Sequence, residues 1–277
     1  MNDMSNLSNA VVSQSLAGRR LENKSVILTG AAGSIGRYIS RHLLREGAKV
    51  TMTGRDPSKL DAFVEELSEE GFDAENITTI VGDCADPQVC RDIVSRAVDT
   101  FGKLDVLVNN AGTTTFVPHD QLEALTEEIW LRTLRVNLIG AFMMSREAAP
   151  HIGAAGGGEI IMTSSIASMT ANGSSIAYCA SKAGMNSLTR TLAKTLGQQK
   201  IRVNAVLPGL IDGDWAFNTW GGGDAEQYDG LKKMFADQTP LGHVVTPDDV
   251  ADAIMSLITG SDYVTGQLVT LDSGFTL

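Results

Sequence analysis

From Lys24 onward the chain alternates short apolar runs with longer stretches in which apolar residues recur every three or four positions. That rhythm predicts strands alternating with helices, and therefore a parallel sheet covered on both faces. Strands are predicted at Ser25–Thr29, Lys49–Thr53, Ile77–Val81, Leu104–Val108, Glu159–Thr163, Ile201–Leu207 and Gln267–Leu271. Most are dense in Val, Ile and Leu with little polar alternation, as doubly covered strands are. Helices are predicted from about Ile35 to Glu46, after Pro57, after Pro87, from Leu122 to about His151, and from about Ala177 to Leu196. Residues 211–240 resist the rhythm. They hold Asp212-Gly213-Asp214, three consecutive glycines, and Trp215, Phe217, Trp220, Tyr228 and Phe235. A long irregular segment of that kind is expected to be a substrate lid.

This pattern fits one doubly wound α/β domain of seven parallel strands spanning residues 23–277, preceded by a flexible polar tail, 1–22. Composition narrows its role. A formal net charge of −11 argues against nucleic-acid binding, which needs basic patches. Cys84, Cys90 and Cys179, with His42, His119, His151 and His243, show no zinc spacing, so no metal is expected. No apolar run approaches the ~20 residues of a bilayer span, and the start lacks a basic region followed by an apolar one. A cytoplasmic protein with reduced thiols and no membrane association is the expectation.

Candidate chemistry begins at Thr29-Gly30-Ala31-Ala32-Gly33-Ser34-Ile35-Gly36, between the first strand and the first helix. Glycines there permit a tight turn and let a pyrophosphate approach helix N-terminal amides. At the end of the second strand, where NAD sites place a carboxylate on the ribose, the chain reads Thr53-Gly54-Arg55-Asp56. A guanidinium without that carboxylate favours NADP(H) over NAD(H). The alternative is that Arg55 faces solvent and Asp56 takes the ribose. Further along, Tyr178-Cys179-Ala180-Ser181-Lys182 puts a phenol and an ammonium on one helix face. The cation is expected to lower the phenol's pKa and fit it for proton transfer to a carbonyl oxygen. Ser164-Ser165 ends a strand at the carboxyl edge of the sheet, where α/β folds bind ligands.

These pieces stand in the order of the short-chain dehydrogenase/reductase family, which the chain resembles from about Leu21 to Leu277. Thr29-Gly30 to Gly36 looks like its TGxxxGxG turn, Asn109-Asn110-Ala111-Gly112 like its NNAG signature, and Pro208-Gly209 like its PG pair. Asp83 follows the third strand where the family contacts adenine, Asn137 matches its active-site asparagine, and Ser165 stands thirteen residues before Tyr178. The resemblance implies a Rossmann-type fold and an NAD(P)-dependent enzyme moving a hydride between a nicotinamide and a ketone or secondary alcohol. It implies Tyr178 as general acid/base, Ser165 holding the substrate oxygen, Lys182 tuning the tyrosine and bonding the nicotinamide ribose, and Asn137 holding a relay water. Cofactor contacts are expected from Gly30, Gly33, Ser34, Ile35, Gly36, Arg55, Asp83, Cys84, Asn110, Ala111, Gly112, Tyr178, Lys182, Pro208, Gly209 and Ile211.

Two residues depart from the family pattern. Ser34 stands for the middle glycine of the turn, and Gly213 stands where a threonine often bonds the nicotinamide carboxamide. A 3-oxoacyl-thioester reductase acting on acyl carrier protein is the alternative enzyme, and a non-catalytic nucleotide sensor the alternative class. A homo-oligomer, dimer or tetramer, is expected through the helices of Leu122–His151 and Ala177–Leu196.

Overall fold

Strand β1 (Ser25–Thr29) is buried along its whole length and pairs in parallel with β2 (Lys49–Gly54) on one side and β4 (Val106–Asn109) on the other. Outward from this centre lie β3 (Ile77–Val81) beyond β2, then β5 (Gly158–Thr163), β6 (Ile201–Pro208) and β7 (Leu268–Leu271) beyond β4. The order β3-β2-β1-β4-β5-β6-β7 reverses direction between β1 and β4. A crevice opens at such a switch point, outside the carboxyl ends of the strands. The computed structural model describes residues 20–220, 222 and 224–277. Most of the expected tail lies outside these residues. Its last three do not behave as a tail: Leu21 is buried in the core and Arg20 pairs with Glu46 at 2.7 Å.

The helices begin where local chemistry starts them. α1 (Ser34–Arg45) follows the glycine-rich turn. α2 (Pro57–Glu69) and α3 (Pro87–Phe101) each open with an Asp cap and a proline in the first turn, where the missing N–H costs nothing. α4 (Glu127–Leu134) is capped by Thr126 and continues through a π-helical turn, Arg135–Gly140, into α5 (Ala141–Ala154). A short turn of helix, α6 (Ala167–Thr170), follows β5, and α7 (Ile176–Leu196) is capped by Ser175. The expected single helix over Leu122–His151 is therefore two pieces, because Thr126 restarts the chain after a 3₁₀ turn at Leu122–Ala124.

The expectation of an irregular 211–240 segment is corrected. It contains α8 (Asp214–Trp220) and α9 (Ala225–Asp237), the latter capped by Asp224. The run of glycines had masked two short helical periods. A tenth helix, α10 (Pro247–Thr259), starts at a capping box formed by Thr246 and Asp249. Two apolar cores sandwich the sheet. One joins it to α1, α2 and α10 through Leu43, Phe63 and Ile254, the other to α3, α5 and α7 through Ile93, Met144 and Met185.

Candidate active site

The turn after β1 is built around contacts that only small residues allow. Gly30 takes φ +68°, and a Cβ there would meet the Ala111 backbone at 3.1 Å. A Cβ on Gly36 would overlap the carbonyl oxygen of Gly30. Thr29 Oγ1 accepts hydrogen bonds from Asn110 N (3.0 Å) and Ala111 N (2.9 Å), while Asn110 Nδ2 donates to Thr29 O (3.1 Å). These bonds tie the ends of β1 and β4 together across the switch point. The first turn of α1 holds no acidic residue and no side-chain cap, and Asn110 Oδ1 is buried without a partner. Unfilled amides and an orphaned acceptor fit a bound dinucleotide.

A cavity of about 830 Å³ runs along the carboxyl edge of the sheet from this turn. Of the expected residues, Gly30, Gly33, Ser34, Ile35, Arg55, Asp83, Cys84, Asn110, Ala111, Gly112, Ser165, Tyr178, Lys182, Pro208, Gly209 and Ile211 all line it. Gly36 and Asn137 do not. Gly36 is packed behind the turn, and Asn137 is fully buried behind the wall. At the β2 end, Arg55 is exposed beside Gly54, around whose Cα there is open space. The Asp56 carboxylate accepts from Lys59 N at 3.2 Å as the cap of α2. Lys59 lines the same end and was missed from the sequence, where it reads as an ordinary surface lysine. Burial alone would raise the Asp83 carboxyl, but the Ala85 amide (3.0 Å) and the Arg132 guanidinium (2.8 Å) hold it below the usual range.

At the other end β5 delivers two serines with different environments. Both line the cavity: Ser164 is buried and donates to Asn186 Oδ1 at 2.7 Å, whereas Ser165 Oγ accepts from Ala167 N at 3.2 Å beside the Tyr178 phenol. The first turn of α7 presents Tyr178, whose N–H is capped by Ser175 Oγ at 3.2 Å. One turn on, Lys182 Nζ is buried, donates to Thr163 O at 2.7 Å, and lies 5.6 Å from the Tyr178 ring centroid. The expected lowering of the tyrosine is overturned. Burial pushes its phenol up to about 12, against the opposing hydrogen bond with Ser165. Burial also pulls Lys182 down to about 8, since it penalises the ammonium. Lys182 gives one of its three donors to the Thr163 carbonyl, and burial sets the direction of the tyrosine's shift.

Behind them the π-turn aims Asn137 inward. Its Oδ1 accepts from Thr113 N (2.8 Å), and its Nδ2 donates to Thr113 O (2.9 Å) and Ser181 Oγ (3.0 Å). Asn137 thus clamps the strand β4 loop to α7, the helix carrying Tyr178. The loop after β6 is held likewise: Gly213 N donates to the Tyr228 hydroxyl (3.1 Å), and Lys232 pairs with Asp212 (3.3 Å). Trp215 and Trp220 from α8, Met234 and Phe235 from α9, and the distant Phe275 complete the wall. The aromatics of α8 and α9 were visible in sequence. Phe275 carried no local signal, because only its stacking on Phe235 (5.3 Å) brings it here.

A family model described as enoyl-(acyl carrier protein) reductase matches residues 30–276. A ketoacyl reductase of the granaticin polyketide synthase from Streptomyces violaceoruber is 34% identical over 90% of this chain and 94% of its own length. A 7alpha-hydroxysteroid dehydrogenase from Bacteroides fragilis is 33% identical over 93% of this chain and 96% of its own. The crystal structure of a Caenorhabditis elegans short-chain dehydrogenase/reductase of unknown function, with cofactor, superposes with a TM-score of 0.82 at 30% identity, covering 93% of this chain and 96% of that one.

Proposed function

The chain belongs to the short-chain dehydrogenase/reductase family and is an NAD(P)-dependent oxidoreductase of CH–OH and C=O groups; from that premise we propose that it works with NADP(H) on ketones or secondary alcohols, with Tyr178 as its proton donor and acceptor. The nicotinamide, when bound, supplies or accepts the hydride. The protein's own residues position the substrate and manage its proton. Tyr178 gives its phenolic proton to the carbonyl oxygen in reduction and removes it from the alcohol in oxidation. Ser165, which lines the cavity beside the same phenol, donates to the substrate oxygen as negative charge grows there. Lys182 holds the floor of the site through Thr163 O, and its remaining donors would bond the nicotinamide ribose. Asn137 keeps the loop of Thr113 and the helix of Tyr178 in register, and the second lone pair of its Oδ1 is left for a relay water.

One observation carries the cofactor choice. The Asp56 carboxylate is committed to the cap of α2, while Arg55 and Lys59 border open space beside Gly54. Two cations without a free carboxylate suit a 2′-phosphate and not a bare ribose diol. Fluorescence titration of the purified protein with NADPH and NADH tests this. NADPH should bind at least about tenfold more tightly, the worth of one charge-assisted hydrogen bond. Equal or tighter NADH binding would overturn the NADP assignment. Assembly into a homo-oligomer is part of the same reading, supported by Leu131, Ile139 and Phe142, which are exposed on the α4–α5 surface.

A further inference from the structure

The cavity changes character along its length. Its charged side chains are Arg55, Asp56, Lys59 and Asp83 near β2 and β3, together with Lys182, whose ammonium is turned onto Thr163 O. Among the described residues no other charged side chain lines it. Beyond Tyr178 the wall is made by Trp215, Trp220, Met234, Phe235 and Phe275, with Thr170, Asn172 and Gln238 as neutral polar groups. An anionic group entering that end would lose its hydration and meet no cation.

The rim adds a second, independent observation. Residues 211–240 carry six acids (Asp212, Asp214, Asp224, Glu226, Asp229, Asp237) against two lysines, a balance of −4. Both lysines are already paired, Lys232 with Asp212 and Asp229, Lys233 with Asp237. A carboxylated substrate, or a thioester delivered on an acidic carrier protein, approaches against that field. The Trp215 indole remains 42% exposed, with its ring centroid 6.1 Å from that of Tyr178. A large apolar ring left open beside the proposed proton donor is a surface that a second ring can cover.

We infer that the substrate is an uncharged, ring-bearing ketone or secondary alcohol that lies against Trp215 with its oxygen at Tyr178 and Ser165, and not a carboxylate, a phosphate ester or a carrier-bound acyl thioester. This rests on the reductase reading above and narrows it. In the reduction a C–H bond forms at the carbonyl carbon with the hydride of NADPH, the C=O π bond breaks, and the oxygen takes the Tyr178 proton. The cofactor is oxidised and the ketone reduced.

The test uses the full-length protein, NADPH and four carbonyl compounds. Three share one ring: 4-tert-butylcyclohexanone (neutral), 4-oxocyclohexanecarboxylate (anionic) and 4-(trimethylammonio)cyclohexanone, a cation of the same shape as the first. The fourth is the acetoacetyl thioester of N-acetylcysteamine. The neutral ring is expected to give the highest kcat/KM, about a hundredfold above the carboxylate, as desolvating an unpaired charge demands. Trp215→Ala is expected to raise the KM for the neutral ketone about tenfold, the scale of one lost aromatic contact, with NADPH affinity unchanged. A preference for the carboxylate, the cation or the thioester, or an unmoved KM in Trp215→Ala, would overturn this inference and leave the reductase reading standing. No turnover of any of the four by protein that still binds NADPH would overturn both.

Discussion

The two ends of the cavity are built by different means. At the glycine-rich end, backbone does the binding: the φ of Gly30, the overlap that any Cβ on Gly36 would create, and the Thr29–Asn110 bonds shape a wall from main-chain atoms. At the aromatic end, side chains from α8, α9 and the C-terminus make the wall, and its rings lean on partners distant in sequence, Trp220 on Phe116 and Phe235 on Phe275. A backbone-made site tolerates few residue types at each position, so it leaves motifs. A side chain-made site can be assembled from many combinations, so it leaves only a composition. On the reading proposed above, the first end takes a cofactor shared across a family, and the second takes the substrate in which members differ.

The comparison breaks most sharply at Tyr178, where the two ends meet. Tyr178→Phe should lower kcat by about a thousandfold, within the range of general acid–base catalysis, and leave NADPH affinity unchanged in a fluorescence titration. A near-wild-type rate would remove the proton-transfer role. The raised phenol sharpens this through its pH dependence. With its pKa lifted to about 12 it stays protonated through neutrality, the form that reduction needs. Reduction should therefore be flat from about pH 5 to about pH 7, below the range in which Lys182 loses its proton, whereas oxidation, which needs phenolate, should climb with pH by up to about tenfold per unit. A reduction rate that falls within that window would place the titration near neutral pH instead.

Smaller effects separate the ends from each other. Arg55→Asp should cut NADPH affinity about tenfold to a hundredfold and spare NADH, because only the 2′-phosphate is addressed. Measured affinities for both cofactors check this, and unaltered selectivity would locate the phosphate elsewhere. The smallest expected effect concerns the two departures from the family pattern, which turn out to touch. A Cβ on Gly213 would lie 2.6 Å from Ser34 Oγ. Gly213→Thr should weaken NADPH binding about tenfold, the cost of overpacking, and adding Ser34→Gly should recover most of that loss. Additive losses in the double variant would show that the positions act independently.

How far the sequence could be read follows the same division. β1 and β3 fall on their predicted bounds, and the others within two residues; the inner strands carry a dense apolar signal because both faces are covered, and the edge strands β3 and β7 are still rich in Ile, Val and Leu. Of the residues expected at the cofactor turn, all but Gly36 reach the cavity, because strand ends at a switch point leave little choice of where to go. What escaped depended on distance. α8 and α9 were hidden by glycines, and α10 was overlooked although Thr246-Pro247-Asp248-Asp249 marks its start. The tyrosine shift differs from expectation because a spacing of four residues places Lys182 near the ring but says nothing of how strongly burial disfavours the phenolate. Lys59 and Phe275 needed the folded chain, since neither stands in a motif.

The π-turn at Arg135–Gly140 has a consequence for how the chain can vary in length. A run of helix from Glu127 to Ala154 with one such turn holds a residue that regular winding would not need. Deleting any one residue of the turn would let the helix close into even winding, a locally comfortable result. It would also turn the preceding stretch by about 100° relative to the following one. Either α4 would leave its seat or Asn137 would swing away from Thr113 and Ser181. Gaps and insertions are usually confined to surface loops. Here a helix carries a surplus residue that cannot be trimmed, and the number of residues between Thr126 and Ala141 is as much a part of the site as the identity of Asn137.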